Sequence, residues 1–257
     1  MKPIWTGTIG FGLVNIPVKL YSAIKESNLD LDMLDKRDLS NIKFMRVNEK
    51  TGKEVLWGDI VKGFMIDSKY VILEDKDFEA ASAVKTKVIE ISDFVMENEI
   101  KSIYYEIPYY VTPEKSGVRA YALLKEALLK TGKVGIATFV MRNKEHLSIL
   151  KATDDALILN RLRFYEEIRD IKELEIPASS AVKPGELKMA VSLINQLSGN
   201  FKIASYKDNY TEQLLKLIKA KAIGTKTAAI KMKVVHSKAK DLMEQLKASL
   251  SKSKKAS

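Results

Sequence analysis

The sequence predicts an α+β fold, in which a mainly antiparallel β-barrel contains one inserted helix and is followed by a C-terminal helical arm. Apolar and polar residues alternate with a period of two in several short segments before Glu166, as in half-buried strands. One segment among them, residues 116–132, instead has apolar residues at helical spacing. Helical patterns replace strand patterns from residue 184 onward. Irregularly spaced strands with one inserted helix favour a barrel over a doubly wound sheet.

The N-terminal segment, residues 4–23, contains Gly7, Gly10 and Gly12 ahead of an apolar run that Pro17 interrupts. A dinucleotide-binding loop has the order G-x-G-x-x-G between a strand and a helix. Here the order is G-x-x-G-x-G, and the β-branched residues that follow are typical of an extended segment. We therefore expect these glycines to allow close backbone approach and a bulge in a curved sheet.

Further strands are predicted between this segment and Glu166. They lie at residues 28–34, 69–75, 85–91, 102–111, 133–142 and 155–165. Pro108 cannot donate a hydrogen bond to a sheet, so its strand is predicted to lie at an edge or to contain a bulge. The inserted helix has Leu124 and Leu128 on its apolar stripe and ends at Gly132.

Two more helices are predicted at residues 184–199 and 211–224, with Thr211 as the candidate N-cap of the second. The chain then divides into a barrel core at residues 1–183, a helical segment at residues 184–224 and a lysine-rich tail at residues 225–257. The last amphipathic stretch of the tail is too short to be stable alone and is expected to order only on a partner. No internal repeat is visible in the sequence.

The excess positive charge lies at the C-terminal end. The chain has a formal net charge of +10, and residues 216–257 alone contain 12 lysines against Asp241 and Glu244. The part of the chain that precedes Lys216 is therefore neutral overall. A basic block of this kind is typical of an arm that binds a polyanion, most often nucleic acid, although a tail that merely improves solubility has the same composition.

The residues argue against an enzyme and against a metal or cofactor site. The chain has no cysteine, and its two histidines are His146 and His236, so the usual zinc ligand sets are excluded. No nucleophile elbow or phosphate-binding loop is present, and Asp154 and Asp155 are interpreted as an exposed turn. We also expect a cytoplasmic location and no membrane partner, because no apolar run is long enough to span a bilayer.

Nine segments, in order along residues 4–224, carry a family resemblance. They are WTGTIGFGLVNIPVKLYSA, RVNEKTGKEVLWGDIVKGF, KYVILEDKDFEAA, KTKVIEISDFV, IYYEIPYYVTPEKSGVRAYALLKEAL, KTGKVGIATFVMRNKEHLSIL, LILNRLRFYEEIRD, GELKMAVSLINQLSGNF and YTEQLLKLIKAKAIG. This ordered series resembles the bacterial Ku proteins of non-homologous end joining.

This resemblance implies a ring-shaped homodimer that encircles the end of a DNA duplex and reads its shape and phosphates. It also implies that the chain bridges DNA ends and recruits the ATP-dependent DNA ligase D. Some members carry a cysteine pair in the region of RVNEKTGKE. This chain has Asn48 and Thr51 there, so no metal knuckle is predicted.

Two sets of residues are candidates for binding. The DNA-binding candidates are Lys19, Lys43, Arg46, Lys50, Lys53, Lys101, Arg142, Lys144, Arg161, Arg163, Lys226, Lys231 and Lys233. The candidates for ligase docking are Tyr210, Leu214, Leu217 and Ile218, whose apolar stripe is equally compatible with packing inside the chain. An alternative function is an architectural, chromatin-like protein that binds DNA mainly through its tail, and the neutral charge of the barrel favours it.

Overall fold

The computed structural model describes residues 1–25, 29–81, 87–142, 144–177 and 182–224. The lysine-rich tail, with Lys226, Lys231 and Lys233, lies outside these residues. The described chain divides into two units, with the division after Arg169. The first unit contains the barrel and the second contains the C-terminal helices.

A closed seven-stranded barrel forms the first unit. Its strands are β1 Trp5–Phe11, β2 Val14–Ser22, β5 Val88–Met96, β6 Tyr105–Pro113, β7 Lys133–Met141, β8 Lys144–Ala152 and β9 Leu157–Leu162. They follow the order β1-β2-β6-β9-β8-β7-β5 around the barrel. Only the β1–β5 pair is parallel, and it closes the barrel. The predicted barrel is confirmed.

The glycines of the first hairpin let two backbones approach. Phe11 pairs with Val14 across a two-residue turn, in which Gly12 has a φ of 58°, a left-handed value that favours glycine. A Cβ at Gly7 would overlap the carbonyl of Lys87 and the ring of Trp5. The predicted close approach is confirmed. The predicted bulge is wrong, because β1 and β2 keep one register along their whole length.

Helix α2 (Val118–Thr131) covers the barrel core and is the inserted helix that the sequence predicts. It buries Leu124 and Leu128, and ends at Gly132 with a φ of 67°. The Tyr121 hydroxyl donates a hydrogen bond to the carbonyl of Val111 and accepts one from the amide of Leu157, each at 2.8 Å. The phenol therefore links the helix to β6 and to the start of β9.

Pro108 lies at a β-bulge, as predicted. The register between β6 and β9 shifts between Tyr105 and Pro108. The alternative of an edge strand is wrong, because β6 pairs with β2 on one side and with β9 on the other. Ala23 donates a backbone hydrogen bond to the Pro108 carbonyl, so the proline accepts in the sheet where it cannot donate.

The segment between β2 and β5 differs most from expectation. The strand predicted at residues 28–34 is wrong: of its described residues only Leu34 forms a bridge, with Asn41, and no neighbouring strand covers its apolar side chains. The hairpin β3–β4 (Lys62–Ile66 and Lys69–Leu73) follows, and then the short helix α1 (Asp75–Ala81). Helix α1 is an additional helix that the sequence reasoning missed.

The second unit contains α3 (Pro184–Leu197) and α4 (Asn209–Ala222), in agreement with the predicted helical arm. The N-cap of α4 is Asp208 rather than Thr211, because its side chain accepts a hydrogen bond from the Thr211 amide. The apolar stripe of α3 lies exposed. None of the helices in the described ranges is long and apolar enough to cross a membrane.

Candidate nucleic-acid interface

Three predicted DNA-binding residues meet at one end of the barrel. Arg142 lies in the turn after β7, Lys144 begins β8, and Arg161 lies near the end of β9. All three line a cleft of about 570 Å³. Antiparallel pairing brings them together, because Met141 pairs with Lys144 and Ser148 of β8 pairs with Arg161. We call this the barrel-end cleft.

The walls of the barrel-end cleft are apolar. The apolar residues that line it are Ile4, Ile24, Ile107, Tyr109 and Met141. Tyr109 and Met141 are also part of the barrel core. The cleft therefore combines three basic side chains with apolar walls that are partly continuous with the barrel core.

Glu106 neutralises part of this basic surface. Its carboxylate accepts a hydrogen bond from the Arg161 Nε at 2.5 Å, and its other oxygen lies 2.9 Å from Arg163 Nη1. The prediction that the two arginines share a face is confirmed, since they share one carboxylate. Arg161 is held by this pair, with only 21% of its side chain exposed.

Arg142 and Lys144 are the cations most available to a phosphate. Arg142 is exposed and has a φ of 55°, and no acidic group of the described residues forms an ion pair with it. Lys144 Nζ lies 4.0 Å from Glu167, and most of its side chain is exposed. A weak surface pair of this kind costs little to exchange for a phosphate contact.

His146 lines the same cleft. It packs against the Phe139 ring with the ring centroids 5.6 Å apart. Burial lowers the pKa of His146 below its ordinary value, and the neighbouring charge of Arg161 lowers it further. A lowered pKa favours the neutral imidazole near pH 7. The sequence predicted only that His146 belongs to no zinc site, and it gave no sign of a position in the cleft.

The remaining predicted cations of the described chain do not line the barrel-end cleft. Lys19 pairs with Glu114 at 3.4 Å, and Arg46 lies 4.3 Å over the ring of Trp57. Lys43, Lys50, Lys53 and Lys101 are exposed. Of these six, only Lys19 belongs to a barrel strand. Sequence reasoning missed Glu106 and Glu167 as partners of these cations. Glu106 could have been found, because it is a lone carboxylate in an otherwise apolar and aromatic strand segment.

Helix α4 carries the residues predicted to dock a ligase. Leu214 and Leu217 are half-buried and share a face with Thr211. Tyr210 and Ile218 are exposed. Of the four candidates, Tyr210 therefore offers the largest exposed surface, at 74%, and Ile218 is exposed at 38%.

Acidic residues do not form a metal site in the described part of the chain. No three side chains of the types His, Cys, Asp or Glu are grouped there so as to hold an ion. Asp154 and Asp155 lie in a turn closed by a hydrogen bond from the Thr153 amide to the Ala156 carbonyl, as predicted.

Comparison with known proteins establishes the family. Residues 10–189 match the model of the Ku70/Ku80 beta-barrel domain. The chain belongs to the Ku family. Relatives named non-homologous end joining protein Ku include those of Opitutus terrae and Archaeoglobus fulgidus, each 40% identical. The first alignment covers 86% of this chain and 80% of the relative, and the second covers 97% and 98%. The Ku protein of Bacillus subtilis is 37% identical over 89% of this chain and 74% of its own length.

Proposed function

We propose that this Ku-family chain binds the ends of double-stranded DNA without regard to sequence and acts in non-homologous end joining, as a binding protein and not as an enzyme. The observation that supports this most is the family match over the barrel, together with relatives whose printed name is that of end-joining proteins. A protein of this kind works where the chromosome is, in the cytoplasm and close to the nucleoid.

The barrel-end cleft offers the type of contact that this role needs. A protein that accepts any broken end cannot depend on base edges, so its affinity must come from phosphate contacts. Arg142 and Lys144 supply exposed positive charge on a rigid support. We propose that they contact the DNA backbone and that Arg161 and Arg163 contribute more weakly, because Glu106 already neutralises them.

We propose that the active form is a ring-shaped homodimer. The single chain exposes large apolar side chains on the β3–β4 hairpin and on α3, such as Phe64 at 65% and Leu197 at 69%. Exposed apolar surface on this scale is typical of an interface. A two-fold dimer buries the same surface from both copies, and a ring keeps DNA bound until it slides off an end.

The helical segment is our candidate for recruitment of the ATP-dependent DNA ligase D and for bridging of ends. Exposed Tyr210 and Ile218 fit a docking surface, whereas half-buried Leu214 and Leu217 fit packing within the helical unit. Changing Tyr210 and Ile218 to serine is therefore expected to abolish ligase stimulation while DNA binding persists. Loss of both activities together would indicate a folding role instead.

Binding to linear DNA and to covalently closed circles of the same length tests the central proposal. A ring that loads at ends binds the linear form far more tightly at matched salt. Equal affinity for the two forms would contradict end recognition.

The second candidate function, an architectural protein acting through its tail, draws on one observation. The chain is neutral overall up to Leu215, and the whole excess charge lies between Lys216 and Ser257. Under this proposal the barrel only dimerises, and removal of the tail abolishes DNA binding.

A further inference from the structure

Two loops in the segment after β2 have the same backbone hydrogen bonds. In the first loop, residues 33–42, the Asp35 amide donates to the Ser40 carbonyl and the Leu39 amide to the Asp35 carbonyl, both at 2.8 Å. The Ile42 amide closes the base by donating to Met33 at 2.9 Å.

The second loop, residues 46–55, repeats this network thirteen positions later. The Asn48 amide donates to the Lys53 carbonyl and the Gly52 amide to the Asn48 carbonyl, both at 2.8 Å. The Val55 amide closes the base by donating to Arg46, also at 2.8 Å. Every one of the three bonds of the first loop thus has its counterpart in the second.

The backbone conformation at the seventh loop position is also the same. Leu39 has a φ of 61° and its counterpart Gly52 has a φ of 66°. A leucine rarely adopts this left-handed conformation, so the surrounding loop must impose it. The sequences MLDKRDLSNI and RVNEKTGKEV share no residue at equivalent positions, which is why the sequence showed no repeat.

Each loop presents two side-chain oxygens three residues apart. Asp35 Oδ1 accepts from the Arg37 amide at 2.9 Å, and Asp38 Oδ1 accepts from the Ser40 amide at 3.0 Å. In the second loop, Asn48 Oδ1 accepts from the Lys50 amide at 3.0 Å, and Thr51 Oγ1 accepts from the Lys53 amide at 3.4 Å. All four oxygens accept from the amide two residues further along.

This spacing is the one at which zinc-binding loops present paired ligands. Structural zinc sites commonly take two cysteines with two to four residues between them from each of two chain segments. Only residues 43–45 separate the loops, so their bases lie within about 14 Å of each other by the reach of the chain. The side chains present do not fit a structural zinc site, however, because such sites use cysteine and histidine ligands, and here two are carboxylates, one is an amide and one is a hydroxyl.

We propose that residues 33–55 are a duplicated zinc-knuckle scaffold in which side-chain hydrogen bonds of Asp35, Asp38, Asn48 and Thr51 replace the metal. The charge of Asp35 is met from within its own loop, where Arg37 Nη2 lies 2.6 Å from Oδ2. Hydrogen bonds from the Arg37 side chain, and then from its backbone amide, hold the pKa of Asp35 below its ordinary value. This Ku-family chain, which has no cysteine, thereby folds the segment without zinc or thiol chemistry.

Metal analysis of the purified full-length protein is the first test. We expect far less than one zinc per chain after dialysis and the same melting temperature with and without EDTA. A stoichiometric divalent ion, or a melting temperature that falls in EDTA, would overturn the proposal. The same measurement would reveal an oxygen-ligated ion such as Mg²⁺ or Mn²⁺, which would also overturn it.

A gain of metal binding is the second test. The variant D35C/D38C/N48C/T51C is expected to bind one Co²⁺ per chain with the absorption of a tetrahedral thiolate site, under reducing conditions. The matched control R37C/S40C/K50C/K53C has the same spacing at exposed neighbouring positions and is expected not to form that site. Equal Co²⁺ binding by both variants, or no binding by the first, would contradict the scaffold. If a variant fails to fold, the metal analysis of the wild-type protein still tests the proposal.

Discussion

Glu106 on β6 holds Arg161 on β9, and both side chains are mostly withdrawn from solvent, with 15% and 21% exposed. The same carboxylate also binds Arg163. The Glu106 carboxylate on the neighbouring strand therefore offsets part of the positive charge of the barrel-end cleft. Arg142 and Lys144 of the cleft therefore stay exposed, whereas Glu106 holds Arg161 and Arg163 in ion pairs.

Replacement of Glu106 by glutamine tests this balance. The variant removes one negative charge, so we expect tighter DNA binding at low salt. The slope of the logarithm of the binding constant against the logarithm of the salt concentration should become steeper by about one unit. The free energy of unfolding is expected to fall by about 1.5–3 kcal/mol, because a hydrogen bond to a charged group is weakened. Fluorescence anisotropy and urea unfolding measure the two effects. E126Q, at an exposed position of α2, is the matched control, and an equal gain of affinity there would contradict a local role for Glu106.

The double variant R142A/K144A tests the exposed cations. We expect weaker binding to duplexes of every sequence, with the log–log salt slope reduced by about two units, since each contact releases about one counterion. Binding titrations at several salt concentrations on two unrelated duplexes provide the measurement. K130A, on the exposed end of α2, should leave the slope nearly unchanged. An effect limited to one duplex would speak against backbone recognition.

Removal of residues 225–257 separates the two proposed functions. If the barrel ring binds ends, the truncated chain retains its preference for linear DNA and loses only part of its salt dependence. If the tail alone binds, nearly all DNA affinity disappears. A synthetic peptide of residues 225–257 is the control, since it should bind linear and circular DNA equally.

His146 makes stability depend on pH. Its pKa is lower in the folded chain than the ordinary value of 6.5, so the unfolded chain binds the proton first as the pH falls. Stability should therefore decrease as the pH drops through about 6.5, until the folded form is also protonated. H146Q should reduce this loss between about pH 7.5 and 5.5 in urea unfolding, where His titrates. An unchanged pH profile in the variant would show that His146 is not its source.

Tyr121 tests the attachment of α2 to the barrel. Y121F leaves the Leu157 amide without its acceptor and the Val111 carbonyl without its donor. We expect the free energy of unfolding to fall by about 1–3 kcal/mol, as for other buried groups left unpaired. Urea unfolding is the measurement, with the exposed Tyr110→Phe as control. A loss of equal size in the control would indicate a general effect of removing a hydroxyl group.

Local sequence patterns predicted most of the barrel. The alternation around Tyr109 and Val111, the helix that ends at Gly132 and the bulge at Pro108 each depend on neighbours in the chain, and each is confirmed. The strand predicted at residues 28–34 is wrong because pairing depends on residues distant in the chain. Its alternation was correct in form, but a strand also needs a partner, and the described residues offer it only the single bridge at Leu34.

The sequence by itself determined the barrel and the excess of positive charge after Leu215, because these follow from short-range periodicity and from composition, while the family rests on the ordered segments that resemble Ku proteins and on the family match. Only the tertiary structure decided which cations are available. Arg161 and Glu106 are 55 residues apart, and their pairing depends on the β6–β9 register. Asp35 and Asn48 likewise occupy equivalent positions in two loops whose sequences differ. The loops share backbone hydrogen bonds, which do not depend on the identity of the side chains.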